Sequence, residues 1–165
     1  MSRKLVKRLF GHIAGINALA FSPDQRILAS GGYYGAIRLW DLNTTRPISQ
    51  LRGHGATVKW LSFSTNGQLL VSRSDDGLVK LWRAAADLEG NALRGSAGWL
   101  EDVALSPDGR RLASVVLDTF AVNLWDLPNR SRIVLTGHTS AVMCVAFSPD
   151  GKMLATGSHD QTVRP

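Results

Sequence analysis

A step of 42 residues governs this chain. Gly11-His12, Gly53-His54, Gly95-Ser96 and Gly137-His138 open four similar segments, each 42 residues after the last. Phe21, Phe63, Leu105 and Phe147 keep the step, as do Ser30, Ser72, Ser114 and Thr156. Trp40 and Trp82 also keep it, whereas Trp125 comes one residue late, an offset removed by one fewer residue before Gly137. Self-similarity at a period of about 40–45 residues marks an array of small units that bury their apolar faces on one another. It overrides the single core that a length of 165 residues would otherwise suggest.

Each unit reads as a set of short strands. In the first these are Ile16–Phe21, Ile27–Gly31, Ala36–Asp41 and Pro47–Leu51. The last begins with an apolar strand over Val142–Phe147, turns at Ser148-Pro149-Asp150-Gly151, returns over Met153–Gly157 and starts a third strand at Thr162. Proline presets φ in such a turn and glycine permits the positive φ that closes it. The nearly unbroken apolar character of the first strands implies burial on both faces. Turn signals every 8–12 residues or so support an all-β array. Arg83–Asp87, rich in alanine, is placed by register in a loop.

Gly-His, then Ser-Pro-Asp-Gly, then Gly-Ser-x-Asp, then Leu-Trp-Asp resembles the WD-repeat (WD40-type) β-propeller family. The clearest closing motifs are Leu39-Trp40-Asp41 and Leu124-Trp125-Asp126, while the second unit ends Leu81-Trp82-Arg83. The resemblance covers essentially the whole chain. It implies an all-β fold of propeller blades with four antiparallel strands each, about four repeats in a partial propeller. Residues 11–52, 53–94 and 95–136 are then whole repeats, residues 137–165 a truncated fourth, and residues 1–10 a strand completing another blade. Three closures fit this count: a piece of a longer propeller, a dimer making one eight-blade ring, and a four-blade ring. The last would turn each blade by roughly 90°, near the limit for propellers. The first is expected.

In this family a hydrogen-bonded set ties each blade: the histidine of Gly-His, a Ser or Thr on the second strand, an aspartate in the next turn, and the tryptophan. Carried over, the second repeat has all four, His54, Ser72, Asp76 and Trp82. The first has His12, Ser30 and Trp40, with Tyr34 in place of the aspartate; the third has Ser114, Asp118 and Trp125, with Ser96 in place of the histidine. The fourth has His138, Thr156 and Asp160. A buried polar group without a partner costs about 1–3 kcal/mol, so the second repeat is expected to be the best ordered.

His, Ser and Asp are also the residue types of a hydrolase triad. The set recurs in degraded form in every repeat, as a packing device does and a single active site does not. Its serine lies inside a strand, without the Gly-x-Ser-x-Gly turn that exposes a nucleophile. His12, His54 and His138 share one repeat position in different blades, and His159 beside Asp160 is no ligand set. Gly31-Gly32 and Gly35 lack the Lys-Ser/Thr of a phosphate loop. No catalytic group, metal or cofactor is expected.

Binding is expected where the repeats differ. In the family one rim gathers the loops after Gly-His and before the third strand, and these often contact partners. The position before the first strand holds Gly15, Thr57, Trp99 and Ala141; that before the blade aspartate holds Tyr33, Asp75, Leu117 and His159. Trp99, Tyr33 and Tyr34 stand out, because aromatic side chains bring large contact area at low entropy cost. Trp60 lies on a first strand, opposite Ala18, Asp102 and Cys144 in the other repeats, and is expected to pack between blades. Phe120 is expected to fill the one-residue shift of the third repeat.

A net charge of +6 keeps nucleic acid open as a partner, although Arg and Lys are scattered apart from Arg3, Lys4, Lys7 and Arg8. That cluster also suits the protection of a sheet edge. A single cysteine, Cys144, excludes an internal disulfide, and no apolar run reaches the ~20 residues of a membrane span. The resulting expectation is a cytoplasmic protein-interaction scaffold for protein or peptide partners, with a homodimer through bare blade faces conceivable. A nucleic-acid-associated propeller is the alternative, and a propeller enzyme is disfavoured.

Overall fold

The computed structural model describes residues 7–83, 91–93, 100–117 and 119–165, with the side chain of Asn91 excluded. It is built from four antiparallel sheets in chain order. The first contains β1 (Ile16–Phe21), β2 (Ile27–Gly32), β3 (Ile37–Asp41) and β4 (Pro47–Leu51). The second contains β5 (Val58–Phe63), β6 (Leu69–Ser74), β7 (Val79–Arg83) and the short β8 (Asn91–Leu93). The third contains β9 (Leu100–Leu105), β10 (Arg111–Val116), β11 (Val122–Asp126) and β12 (Ser131–Leu135). The fourth has three strands, β13 (Val142–Phe147), β14 (Leu154–Ser158) and β15 (Val163–Arg164). Each sheet is an up-and-down meander, the arrangement of a propeller blade.

The turn between the first two strands is the same device in all four sheets. Ser22, Ser64, Ser106 and Ser148 each donate a hydroxyl hydrogen bond to Asp24, Asn66, Asp108 or Asp150, two residues on. The same oxygens accept from the backbone N–H that opens the second strand, at Ile27, Leu69, Arg111 and Met153. The closing residue has positive φ: Gly67, Gly109 and Gly151 near +70°, and Gln25 at 59°. Each sheet also carries one irregularity in the pairing of its first strand, at Ile16/Ala18, Val58/Trp60, Leu100/Asp102 and Val142/Cys144. Such bulges sharpen local twist.

The core lies between sheets. Ala29, Ile37, Leu39 and Leu51 of the first sheet pack on Val58, Leu61, Leu70 and Trp82 of the second. Val71 and Val79 meet Val103, Leu112 and Trp125, and Ala113, Val115 and Val122 meet Val142 and Val145. Burying one such aliphatic side chain contributes about 1.5–3 kcal/mol, so each blade depends on its neighbour. The two outer faces show the converse. Leu61, Val103 and Val145 are all buried, but the matching Leu19 of the first sheet is 61% exposed. Ala29, Val71 and Ala113 are fully buried, but the matching Ala155 of the fourth sheet is exposed.

Three expectations meet this fold differently. Trp60 packs half-buried against the Val71–Val103 cluster, between blades. Phe120 fills no bulge: the added residue lengthens the loop between β10 and β11, and Phe120 is exposed there. Residues 7–10 form no strand, and 1–6 lie outside the described residues. Residues 84–87 of the alanine-rich stretch also lie outside the described residues. No helix of the described residues is long and apolar enough to cross a membrane.

Candidate functional site

Two constellations bear on function: a polar relay inside the blades and a row of loops on one rim. The relay is fullest in the second sheet. Trp82 Nε1 donates to Ser72 Oγ at 2.8 Å, Ser72 Oγ lies 2.7 Å from His54 Nε2, and His54 Nδ1 lies 2.8 Å from Asp76 Oδ2. An indole only donates, so the Ser72 proton is free for His54 Nε2, and the His54 proton sits on Nδ1 facing Asp76. Every hydrogen then has one acceptor while the imidazole is neutral. Burial lowers the His54 pKa against the opposing pull of Asp76. For Asp76, burial works against ionisation, but the Gly55 N–H and His54 overcome it and hold the carboxyl below its usual range.

The other sheets carry partial versions. His12 Nε2 and Trp40 Nε1 both lie 2.7 Å from Ser30 Oγ, with Tyr34 standing at the position of Asp76. Trp125 Nε1 donates to Ser114 Oγ at 3.1 Å; Asp118 lies outside the described residues. His138 bridges Asp160 at 2.7 Å and Thr156 at 2.8 Å. Thr162 and the Thr139 N–H also bond Asp160, and the Thr162 hydroxyl leads in pushing its pKa strongly down. The serine and threonine of each relay are buried on a strand. Among the described residues no three His, Cys, Asp or Glu cluster as metal ligands.

On the rim, one backbone contact repeats. The N–H groups of Tyr33, Asp75 and His159 donate to the carbonyls of Gly15, Thr57 and Ala141 at 3.1, 2.9 and 2.9 Å. The two variable positions of each repeat are thereby side by side in sheets one, two and four. Asp75 and His159 are exposed, and Leu117 is half-buried. Asp75 pairs with Lys59 at 3.5 Å. Tyr33 and Tyr34 open a 3-10 turn over Tyr33–Gly35, where they are 50% and 76% exposed. Tyr34 holds φ 61°, a left-handed value uncommon for a bulky residue. A Cβ on Gly15 would stand 2.8 Å from the Tyr33 ring, so only glycine lets that ring lie on the backbone. Trp99, the remaining rim candidate, lies outside the described residues.

One polar contact was not visible in the repeat pattern. Asp102 Oδ2 accepts from the Val145 N–H at 2.9 Å, bridging the third and fourth sheets. The only signal was negative: an aspartate where the other repeats carry Ala18, Trp60 and Cys144.

Meander sheets stacked face to face, each pinned through a strand-two hydroxyl, are β-propeller blades. The family model of the WD domain, G-beta repeat (WD40), matches residues 3–41, 45–83 and 129–164, well over half of the chain, and the chain belongs to that family. The two later segments run from the fourth strand of one sheet through the third strand of the next. Over 45 residues the chain is 47% identical to the small ribosomal subunit protein RACK1 of Neurospora crassa. That alignment covers 27% of this chain and 14% of the relative, so the chain spans about a seventh of that protein's length.

Proposed function

We propose that this chain is a WD-repeat protein-interaction scaffold that holds protein or peptide partners on its rim and carries out no chemistry of its own. One observation carries the reading: Tyr33 and Tyr34 project from a rigid turn and remain largely exposed. Amphipathic aromatics on a preorganised loop lose little entropy on binding and contribute strongly to contact energy. Asp75, Leu117 and His159 extend the same row, and Trp99 joins it by its place in the repeat. The hydrogen-bonded sets keep the blades rigid beneath these loops. The reading needs no cofactor, and it places the protein in the cytoplasm.

The test is Tyr33→Ser with Tyr34→Ser, and separately Trp99→Ala, compared by crosslinking and mass spectrometry of captured partners. Loss of specific crosslinks with an unchanged melting temperature supports the rim. Unchanged crosslinks refute it.

A second reading has its own support. The net charge is +6, and the relative's name makes it a protein of the small ribosomal subunit. Association with a nucleic-acid particle would show a steep fall in affinity with salt, because each neutralised phosphate releases counterions. A flat salt dependence rejects it. Head-to-tail pairing of two copies through the bare faces of the first and fourth sheets is the remaining possibility, read from the mass in solution.

A further inference from the structure

The seam between the second and third sheets closes differently from its neighbours at the end remote from the rim, and Leu69 is the reason. The matching residues of the other repeats are Ile27, Arg111 and Met153. In the first seam Ile27 packs against the core cluster that the two sheets share. In the third, the Arg111 guanidinium crosses to the fourth sheet, donates to the Gly151 carbonyl at 2.6 Å and lies 5.7 Å from the centre of the Phe147 ring. Leu69 is shorter than arginine and has no donor to offer the facing turn. It lines instead a cavity of about 320 Å³, walled by Leu81 and Leu93 of the second sheet and by Leu127 and Pro128 of the third.

The walls are apolar, and the charge they carry is of one sign. Arg83, at the end of β7, contributes from the second sheet, and Arg130, in the loop between β11 and β12, from the third. Both arginines are exposed. Arg130 makes no ion pair and no side-chain hydrogen bond among the described residues. No carboxylate lines the cavity among the described residues. The acids nearby in the chain are engaged locally: Asp126 accepts from the Asn129 backbone and side chain at 3.0 and 2.9 Å, and Asp108 accepts from the Ser106 hydroxyl and the Arg110 N–H. These bonds also stiffen the wall. The Leu127 N–H donates to the Arg110 carbonyl at 2.8 Å, and Pro128 follows, so the third-sheet side is held before any ligand arrives.

We propose that this cavity receives one large apolar side chain from an acidic, extended segment of another protein, whose carboxylates bond Arg83 and Arg130. A cavity near 150 Å³ accepts a benzene ring, so about 320 Å³ admits a phenylalanine side chain with room to spare. The only polar side chains of the lining are the two arginines, so nothing within the walls orients a polar small molecule, whereas an apolar anchor needs no partner there. In an extended segment residues i−2, i and i+2 share a face. Acids two places either side of the anchor therefore come beside the guanidinium groups, which bind carboxylates through paired N–H donors. A net charge of +6 favours the approach of such a segment. The cavity lies at the opposite end of the sheets from Tyr33 and Tyr34, so a partner here leaves the rim free.

Three peptides test this on the 165-residue chain: acetyl-Asp-Ser-Phe-Ser-Asp-amide, its version with asparagine for both aspartates, and its version with alanine for phenylalanine. Methyl NMR titration gives the place and the affinity together. The acidic phenylalanine peptide is expected to bind and to shift the methyls of Leu69, Leu81, Leu93 and Leu127. Asparagine for aspartate should weaken binding about tenfold. Alanine for phenylalanine should weaken it by about tenfold or more. In Arg130→Gln the acidic peptide should lose about threefold while the asparagine peptide binds as before, a charge-specific change that a loss of structure would not produce. Arg83→Gln is the second variant, with the same expectation. If neither folds, the three peptides on the wild-type chain decide alone. No uptake, equal uptake of the acidic and asparagine peptides, equal uptake of the phenylalanine and alanine peptides, or shifts confined to the rim overturns the proposal. So does tighter binding at the same methyls by a uridine oligonucleotide or by hydrocinnamate, because the arginines would then serve phosphate or a small carboxylate. None of these outcomes touches the Tyr33–Tyr34 reading.

Discussion

Replacing Ser72 by alanine tests whether the relay, rather than burial alone, holds a blade together. The hydroxyl is fully buried and serves two groups, the Trp82 indole N–H at 2.8 Å and His54 Nε2 at 2.7 Å. Both lie where water does not reach: Trp82 is fully buried and the His54 side chain is 0% exposed. Each orphaned group costs about 1–3 kcal/mol, so the expected loss for the two is roughly 2–6 kcal/mol. For a chain of this size that lowers the melting temperature by roughly 4–24 °C. The comparison is Ser30→Ala in the first sheet. It removes the same two bonds, but His12 is only half-buried, so solvent can replace one partner. Its expected cost is about half as large. Ser72→Thr is the control, because Thr156 fills the same role in the fourth sheet at 2.8 Å from His138. Thermal melts give the totals, and amide hydrogen exchange across β5–β7 localises them. If Ser30→Ala costs as much as Ser72→Ala, the completeness of the relay is not what stabilises the second blade.

Asp102→Ala strands the Val145 N–H between two sheets and should cost about 1–3 kcal/mol, with faster exchange at that amide; unchanged exchange there would refute the bridge. Gly35→Ala combines φ +69° with a collision against the His54 carbonyl oxygen. It should cost more than about 2 kcal/mol by denaturant titration, whereas Gly55→Ala, in open space, should cost little. The burial-lowered His54 pKa makes the unfolded chain the better proton acceptor, so this contribution is whole above the ordinary histidine value near 6.5. It is lost as pH falls through the lower folded value. Asp76, also depressed, adds a second loss at more acidic pH. Melting temperature against pH should therefore fall from about pH 6.5 downward, and a curve flat to pH 5 would contradict the neutral relay.

Much of the blade architecture was legible because it is local. β1, β4 and β13 occupy the segments expected for them, and the turn after β13 falls at Ser148-Pro149-Asp150-Gly151, where proline and glycine place it. What escaped the sequence crosses between repeats or depends on neighbours. The first-strand bulges fall at Asn17, Lys59, Glu101 and Met143, four side chains with no shared chemistry, so no composition signal marks them. Phe120 misled because a one-residue offset shows that a residue was added without showing whether a strand or a loop absorbs it. A loop does so at less cost.

The candidate site divides the same way. Ser30 and Trp40, or Ser72 and Trp82, are ten residues apart on adjacent strands of one hairpin, so their contact follows from register alone. The rim pairs Tyr33–Gly15, Asp75–Thr57 and His159–Ala141 are eighteen residues apart, and they meet only because a backbone N–H reaches across the sheet end to a carbonyl. Repetition therefore reveals the framework and conceals the surface: residues that recur define how blades stack, and those that differ are where binding can be selective. Tyr34 is the sharpest case. It takes the place of a framework aspartate, gives up the bond that Asp76 makes to His54, and adopts a left-handed backbone while 76% exposed. A residue that gives up a stabilising contact and still faces solvent has no folding reason to be aromatic, and that is why the rim experiment begins there.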